Sequence, residues 1–174
     1  GREVWRLSIG ELREVYKGFE ICSHSMSHPR LTDVSCEQLR WELDASREIL
    51  ENIFQKPVFG FAYPFNDYND VVIDAVRSAG YIWARGGGQE GDCFPPANPY
   101  TFRPHCRFDD DDFMGKYECA KQTSEVFFFW GHSYQLINDA MWERFENLIR
   151  QISFDPDVQW TFVSDLFIKS IAKG

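Results

Sequence analysis

Apolar and polar positions fall in blocks whose period changes along the chain. Apolar residues at 9, 12, 15 and 16 recur at helical spacing, so Ile9 to Tyr16 is expected to form a short amphipathic helix, stopped by Gly18. Phe19-Glu20-Ile21-Cys22 follows as a short buried strand. Ser35, with Gln38 three residues on, has the pattern of a capping box. The helix it opens carries Leu39, Leu43, Ser46, Leu50 and Ile53 on one stripe, with Ser46 the single polar break. Val58 to Tyr63 is a continuous apolar run of strand length, turned by Pro64-Phe65-Asn66-Asp67. A helix is expected from about Asp70 to Ala79, closed by Gly80, and then a strand from Tyr81 to Ala84.

A long loop, Gly86 to Pro104, holds four Gly and four Pro, a length that in a compact domain usually lines a site. The acids Asp109 to Asp112 precede Phe113 and Met114 and suit the N-terminal end of a helix, where negative charge offsets the macrodipole. Val126 to Trp130 is the most hydrophobic strand. Asn138 caps a helix with Phe145, Leu148, Ile149 and Ile152 on one face. Trp160 to Val163 reads as a last strand, and Ser164 as the cap of a final helix through Ile171. There is no internal repeat and no linker, so residues 1–174 read as a single domain.

Strand and helix alternate, and the strands are apolar throughout, the mark of parallel strands buried on both faces. The class is therefore α/β, and a barrel or an open doubly wound sheet both fit. In either, chemistry collects beyond the carboxyl ends of the strands. His24, His28, Tyr63 to Phe65, Arg85 and His132 all lie just after an expected strand.

Composition narrows the partners. A net charge of −9 with no basic run argues against a nucleic-acid surface. No apolar stretch approaches the roughly 18–20 residues of a membrane-spanning helix. The 44% apolar and 17% aromatic content supplies a large core. The five cysteines, Cys22, Cys36, Cys93, Cys106 and Cys119, form no C-x-x-C pair, which favours reduced thiols and a cytoplasmic setting. No secretory signal is visible, but the chain opens on Gly1 rather than Met, so this says little about a leader.

The candidate chemistry is concentrated in Glu20-Ile21-Cys22-Ser23-His24-Ser25-Met26-Ser27-His28-Pro29. On a helical turn, positions i and i+4 share a face, so two imidazoles at this spacing reach one ion. Zinc would accept both with bonds of about 2.0–2.1 Å. The alternative is two loop histidines without a ligand.

These residues, with Phe61-Ala62-Tyr63-Pro64-Phe65 and Phe129-Trp130-Gly131-His132-Ser133, resemble the polysaccharide deacetylase family, the chitooligosaccharide deacetylase homologues of carbohydrate esterase family four. His24 to Pro29 is similar to the family's H-[ST]-x-x-H-P metal motif, residues 61 to 65 to its R-x-P-Y-G strand end, and residues 129 to 133 to its late histidine motif. Trp-Gly-His-Ser-Tyr, residues 130 to 134, resembles one branch of that family.

The resemblance implies an irregular (β/α) barrel and metal-dependent hydrolysis of an N- or O-acetyl group on a sugar or polysaccharide. The ion polarises the carbonyl and acidifies bound water. A carboxylate takes that water's proton, backbone N–H groups hold the oxyanion, and a histidine protonates the leaving group. By matching position, His24 and His28 are the metal ligands, with zinc as first choice and cobalt or nickel as alternatives. His132 is the general acid and the Phe65 N–H the oxyanion donor. Tyr63, Trp130 and Tyr134 are substrate contacts, with core packing the alternative for Trp130.

Two departures qualify this. The family's T-F-D-D-G motif, source of the base and a third ligand, has no counterpart, and no Asp occurs among the 23 residues before His24. The expected barrel is therefore incomplete at its N-terminus, whether the chain is a truncated piece or a degenerate member. Its exposed edges would favour self-association. Two histidines without a carboxylate predict weak metal binding or none. Ala62 also stands where the family has a bracing Arg, a role Arg85, or else Arg103, is expected to fill. One rival is a non-catalytic glycan-binding member. The other is a cysteine hydrolase using Cys106 beside His105, or Cys22 near His24.

Overall fold

A computed structural model describes residues 7–88, 90–123 and 126–171. The fold is α/β, with helices joined to short strand pairings, and it divides into two compact units, Gly1–Ala84 and Arg85–Gly174. The described ladders are two-stranded, and a closed barrel is not among them.

The first unit contains helices α1 (Ile9–Val15), α2 (Cys36–Phe54) and α3 (Asp70–Ser78). Strand β1 (Gly60–Ala62) pairs with β2 (Trp83–Arg85). Ser8 and Glu11 cap α1 reciprocally, yet the helix buries none of its residues, so the expected amphipathic helix forms without a covered stripe. The strand expected at Phe19 to Cys22 is not there. The chain is still turning at Phe19, whose N–H donates to the Tyr16 carbonyl, and Ser23 makes a parallel bridge, to Phe61. Ser23 donates to the Gly60 carbonyl and accepts from the Ala62 N–H, both at 2.9 Å.

The Ser35 hydroxyl caps α2 by accepting from the Gln38 N–H. The reciprocal half of the expected box is missing, because the Gln38 side chain reaches Glu42 instead. Leu39, Leu43 and Ser46 are buried as their spacing predicts. Ser46 is not a flaw in the stripe: its hydroxyl pairs with that of Ser23 at 2.7 Å in the core. Val58, Phe61, Val72, Val76 and Tyr81 complete this core, and the Tyr81 hydroxyl donates to the Leu43 carbonyl.

The second unit contains β3 (Cys106–Arg107), α4 (Phe113–Thr123), β4 (Phe129–Trp130), α5 (Asp139–Ser153) and α6 (Val163–Ile171). Strands β3 and β4 pair in parallel, Cys106 opposite Phe129 and Arg107 opposite Trp130. Phe113, Tyr117, Leu148 and Ile152 pack around Cys106. The glycine-rich loop is pinned by Arg103, whose backbone N–H and guanidinium both bond Asp92. Asp110 takes up Lys116 at 2.7 Å near the start of α4, in keeping with a helix-terminal role for the acid run.

The strand expected at Trp160 to Val163 does not form. Residues 160–162 take no strand conformation; the Trp160 indole N–H bonds the Ser153 hydroxyl, and Phe162 is exposed. Helix α6 begins at Val163, so Ser164 lies buried inside the helix rather than capping it.

Candidate metal centre and catalytic residues

His24 and His28 converge, though not on a helical turn. The loop between them is irregular, and Ser25 and His28 take positive φ of 66° and 59°. Such angles cost non-glycine residues on the order of 1–3 kcal/mol each and persist where the surroundings impose them. The Ser25 hydroxyl accepts from the His28 N–H at 3.0 Å, closing the turn. His24 Nδ1 lies 2.7 Å from the Ala62 carbonyl. A carbonyl only accepts, so Nδ1 carries the proton and Nε2 presents a lone pair. The two Nε2 atoms are 3.1 Å apart.

A tetrahedral ion with bonds of about 2.0–2.1 Å separates two ligand nitrogens by roughly 3.3 Å. The pair therefore fits half of a zinc-type site. Among the described residues no third His, Cys, Asp or Glu completes a ligand group.

Glu42, on α2, is the residue that sequence reasoning missed. It is fully buried, at 0% exposure. One carboxylate oxygen accepts from the Met26 and Ser27 N–H groups at 2.9 and 2.8 Å. The other accepts from the Ser27 hydroxyl at 2.5 Å and from Gln38 Nε2 at 3.0 Å. Burial alone would raise its pKa, but the bonds from Ser27, Gln38 and Met26 outweigh it and hold the group below the usual range. The signal was present in the sequence: with Leu39, Leu43 and Ser46 on the stripe, Glu42 falls on the same buried face.

The Pro64–Asn66 segment is a tight turn in which the Asn66 and Asp67 N–H groups bond the Tyr63 and Pro64 carbonyls. Phe65, at φ 56°, donates its N–H to no backbone carbonyl among the described residues. Its ring packs edge-on against His28 at 4.6 Å and carries Arg30 over it at 5.0 Å. The first unit thus gathers His24, His28 and Phe65. Tyr63 does not serve as a contact surface: it is 3% exposed, stacked on Tyr68 and edge-on to Phe61 in the core.

The second unit makes its own cluster. Arg85 lies within β2 rather than beyond it, and its guanidinium sits over the Trp130 ring at 5.0 Å, with Arg107 at 5.9 Å. Trp130 therefore presents a ring already engaged by cations. His132 follows β4; its N–H and Nδ1 face Gln135 Oε1 at 3.0 and 3.2 Å. Its ring stacks on Tyr134 at 4.7 Å and meets Trp130 edge-on at 5.3 Å. Tyr134 is 73% exposed, the one member of the expected aromatic set fully open to solvent. Arg103, the other candidate brace, is committed to Asp92 and Glu90.

The cysteine reading loses Cys106, one of its two candidate nucleophiles. Cys106 is buried, and burial, with Asp110 nearby, pushes its thiol up to about 12. His105 Nδ1 accepts from the Phe128 N–H at 3.1 Å, so its ring serves the backbone.

The family model described as polysaccharide deacetylase matches residues 10–83. No curated protein matches the chain. Among solved structures, the Xyl-CE4 domain of a multidomain xylanase from the hindgut metagenome of Trinervitermes trinervoides aligns at TM-score 0.57 and 16% identity, covering 93% of this chain and 70% of that one. The Streptococcus pyogenes deacetylase PplD, in complex with acetate, aligns at TM-score 0.50 and 19% identity, covering 56% of this chain and 43% of that one. A polysaccharide deacetylase from Bacillus cereus aligns at TM-score 0.46 and 28% identity, over 56% of this chain and 31% of that one. The chain thus spans less than half the length of the latter two. At their identities, the first two likenesses bear on the fold alone.

Proposed function

We propose, on the match of residues 10–83 to the polysaccharide deacetylase family model, that the chain carries the histidine pair and oxyanion turn of a metal-dependent carbohydrate deacetylase, on an irregular (β/α) barrel of the deacetylase type. The observation that carries this reading is the convergence of His24 and His28 Nε2 to 3.1 Å, with His24 held in the ligand tautomer by the Ala62 carbonyl. A bound divalent ion, zinc first and cobalt or nickel next, would polarise an acetyl carbonyl and acidify water. His24 and His28 would hold it, and the Phe65 N–H would donate to the oxyanion. His132 is the general acid: Nδ1–H donates to Gln135, so it is the imidazolium form, carrying its second proton on Nε2, that would give that proton to the leaving amine or alcohol. The substrate class is an acetylated sugar or polysaccharide, with Tyr134 as the exposed aromatic contact.

Two imidazoles alone make a weak site, so the described residues are expected to bind metal weakly and to turn over slowly. The test is acetate release from acetylated oligosaccharides in the presence of zinc or cobalt, with His24→Ala/His28→Ala as control. Metal-dependent release lost in the double variant supports the reading; release that is indifferent to both histidines overturns it.

A second reading, glycan binding without catalysis, is favoured by one observation: among the described residues no carboxylate joins the histidine pair to act as base. Oligosaccharide binding that perturbs Tyr134 without acetate release would select it.

A further inference from the structure

We propose that Glu42 is a positioning residue for the histidine pair: its buried carboxylate shapes the loop so that His24 and His28 face one ion. This rests on the metal reading above and deepens it. The loop contains two left-handed residues, Ser25 and His28, at φ 66° and 59°. Between them lie only Met26 and Ser27, and both donate their N–H groups to Glu42 Oε2. The Ser27 hydroxyl adds a third bond, to Oε1. One carboxylate thus fixes the two peptide units linking the unusual turns.

A carboxylate is well suited to this task. It is acceptor-only, with room for several donors, and converging N–H groups are bound more strongly by an ionised acceptor than by a neutral one. It comes from the interior of α2, flanked by the buried Leu39, Leu43 and Ser46, so its own position is set by the core. Gln38, one turn earlier, occupies the remaining side of Oε1. Neither Met26 nor Ser27 is a ligand, so Glu42 acts on the ion only through the loop, as outer-shell partners do.

The experiment compares wild type, Glu42→Leu, Glu42→Gln and Ser27→Ala. Amide exchange is read at Met26 and Ser27, and zinc titrations are followed on the ring resonances of His24 and His28. Glu42→Leu is expected to speed both amides and to weaken the zinc midpoint by about 10–100-fold. Glu42→Gln keeps a carbonyl for the two amides and should retain most of the affinity. Ser27→Ala should weaken it less than Glu42→Leu. A merely structural glutamate would lower Tm without moving the midpoint, so a folded Glu42→Leu with wild-type midpoint and exchange overturns the proposal. Should Glu42→Leu fail to fold, Ser27→Ala decides, and an unchanged midpoint with unchanged Met26 exchange overturns it. If wild type shows no zinc response, the metal reading fails by itself. Amide exchange and ring shifts in the metal-free variants then still decide whether Glu42 sets the loop.

Discussion

His24 and His132 each follow a short parallel pairing, and each is held by a different kind of force. Around His24 the restraints are directional: the Ala62 carbonyl on Nδ1, the Ser25 hydroxyl on the His28 N–H, and four donors on Glu42. Around His132 they are mostly shape: Trp130 edge-on, Tyr134 stacked, and Gln135 as the polar partner. Hydrogen bonds fix where a ring nitrogen points, as a ligand requires. Packed rings fix a side chain's place and leave the pointing of its nitrogen to a single side chain, here Gln135 on Nδ1.

The largest expected effect tests the packed side. Phe113 is buried beneath β4, with Phe127 and Phe129 edge-on at 5.2 Å each. Phe113→Ala should cost about 3–5 kcal/mol in urea unfolding. A loss below roughly 1 kcal/mol would mean the rings are not what holds that strand end.

Gly131 comes next. A Cβ there would lie 2.0 Å from Phe108 Cδ1, and Phe108 is itself buried. Gly131→Ala should cost about 1–3 kcal/mol in thermal unfolding and shift the His132 resonances. Gly60, on the directional side, is as tight, with Trp83 Cζ2 at 2.4 Å and Cys22 Sγ at 2.7 Å. Gly60→Ala should cost as much yet leave the His24 tautomer intact, because the Ala62 carbonyl sets it. Ser46→Ala is smaller, about 1 kcal/mol by chemical denaturation, since it removes one partner of the buried Ser23 hydroxyl. No measurable change would mean that hydroxyl pair adds nothing to the directional side.

The same contrast explains what could be read from the sequence. Helices α2, α3 and α5 were legible because their signals are local, and Ser35 and Asn138 each cap as residue type predicts. His24 and His28 were legible as a pair because their spacing is local. Their geometry was not, because the loop is shaped by Glu42, 15 residues from Ser27. Trp160 was misread as a strand residue because an apolar run says nothing about whether a neighbouring strand is present to pair with it. Tyr63 and Trp130 were both read as contacts, but aromatic type does not tell a core ring from an open one; only Tyr134 is exposed.

The smallest expected effect asks whether the second unit has a directional carboxylate of its own. Asp155 is held down to about 2 by Lys121, with the Tyr117 hydroxyl and the Asp157 N–H adding to it. Its folded pKa lies below the ordinary 3.8, so its contribution to stability is present above that value and is lost as pH falls toward about 2. Lys121 is raised by the same contact, so its share is present below the ordinary 10.5 and fades as pH climbs past it. Asp155→Asn should therefore lower the urea midpoint at neutral pH and converge with wild type near pH 2. The gap should be modest, because the pair sits at the surface, and it should shrink in salt. A gap as large as that of Phe113→Ala, or one that ignores salt, would show that the second unit is held by directional bonds after all.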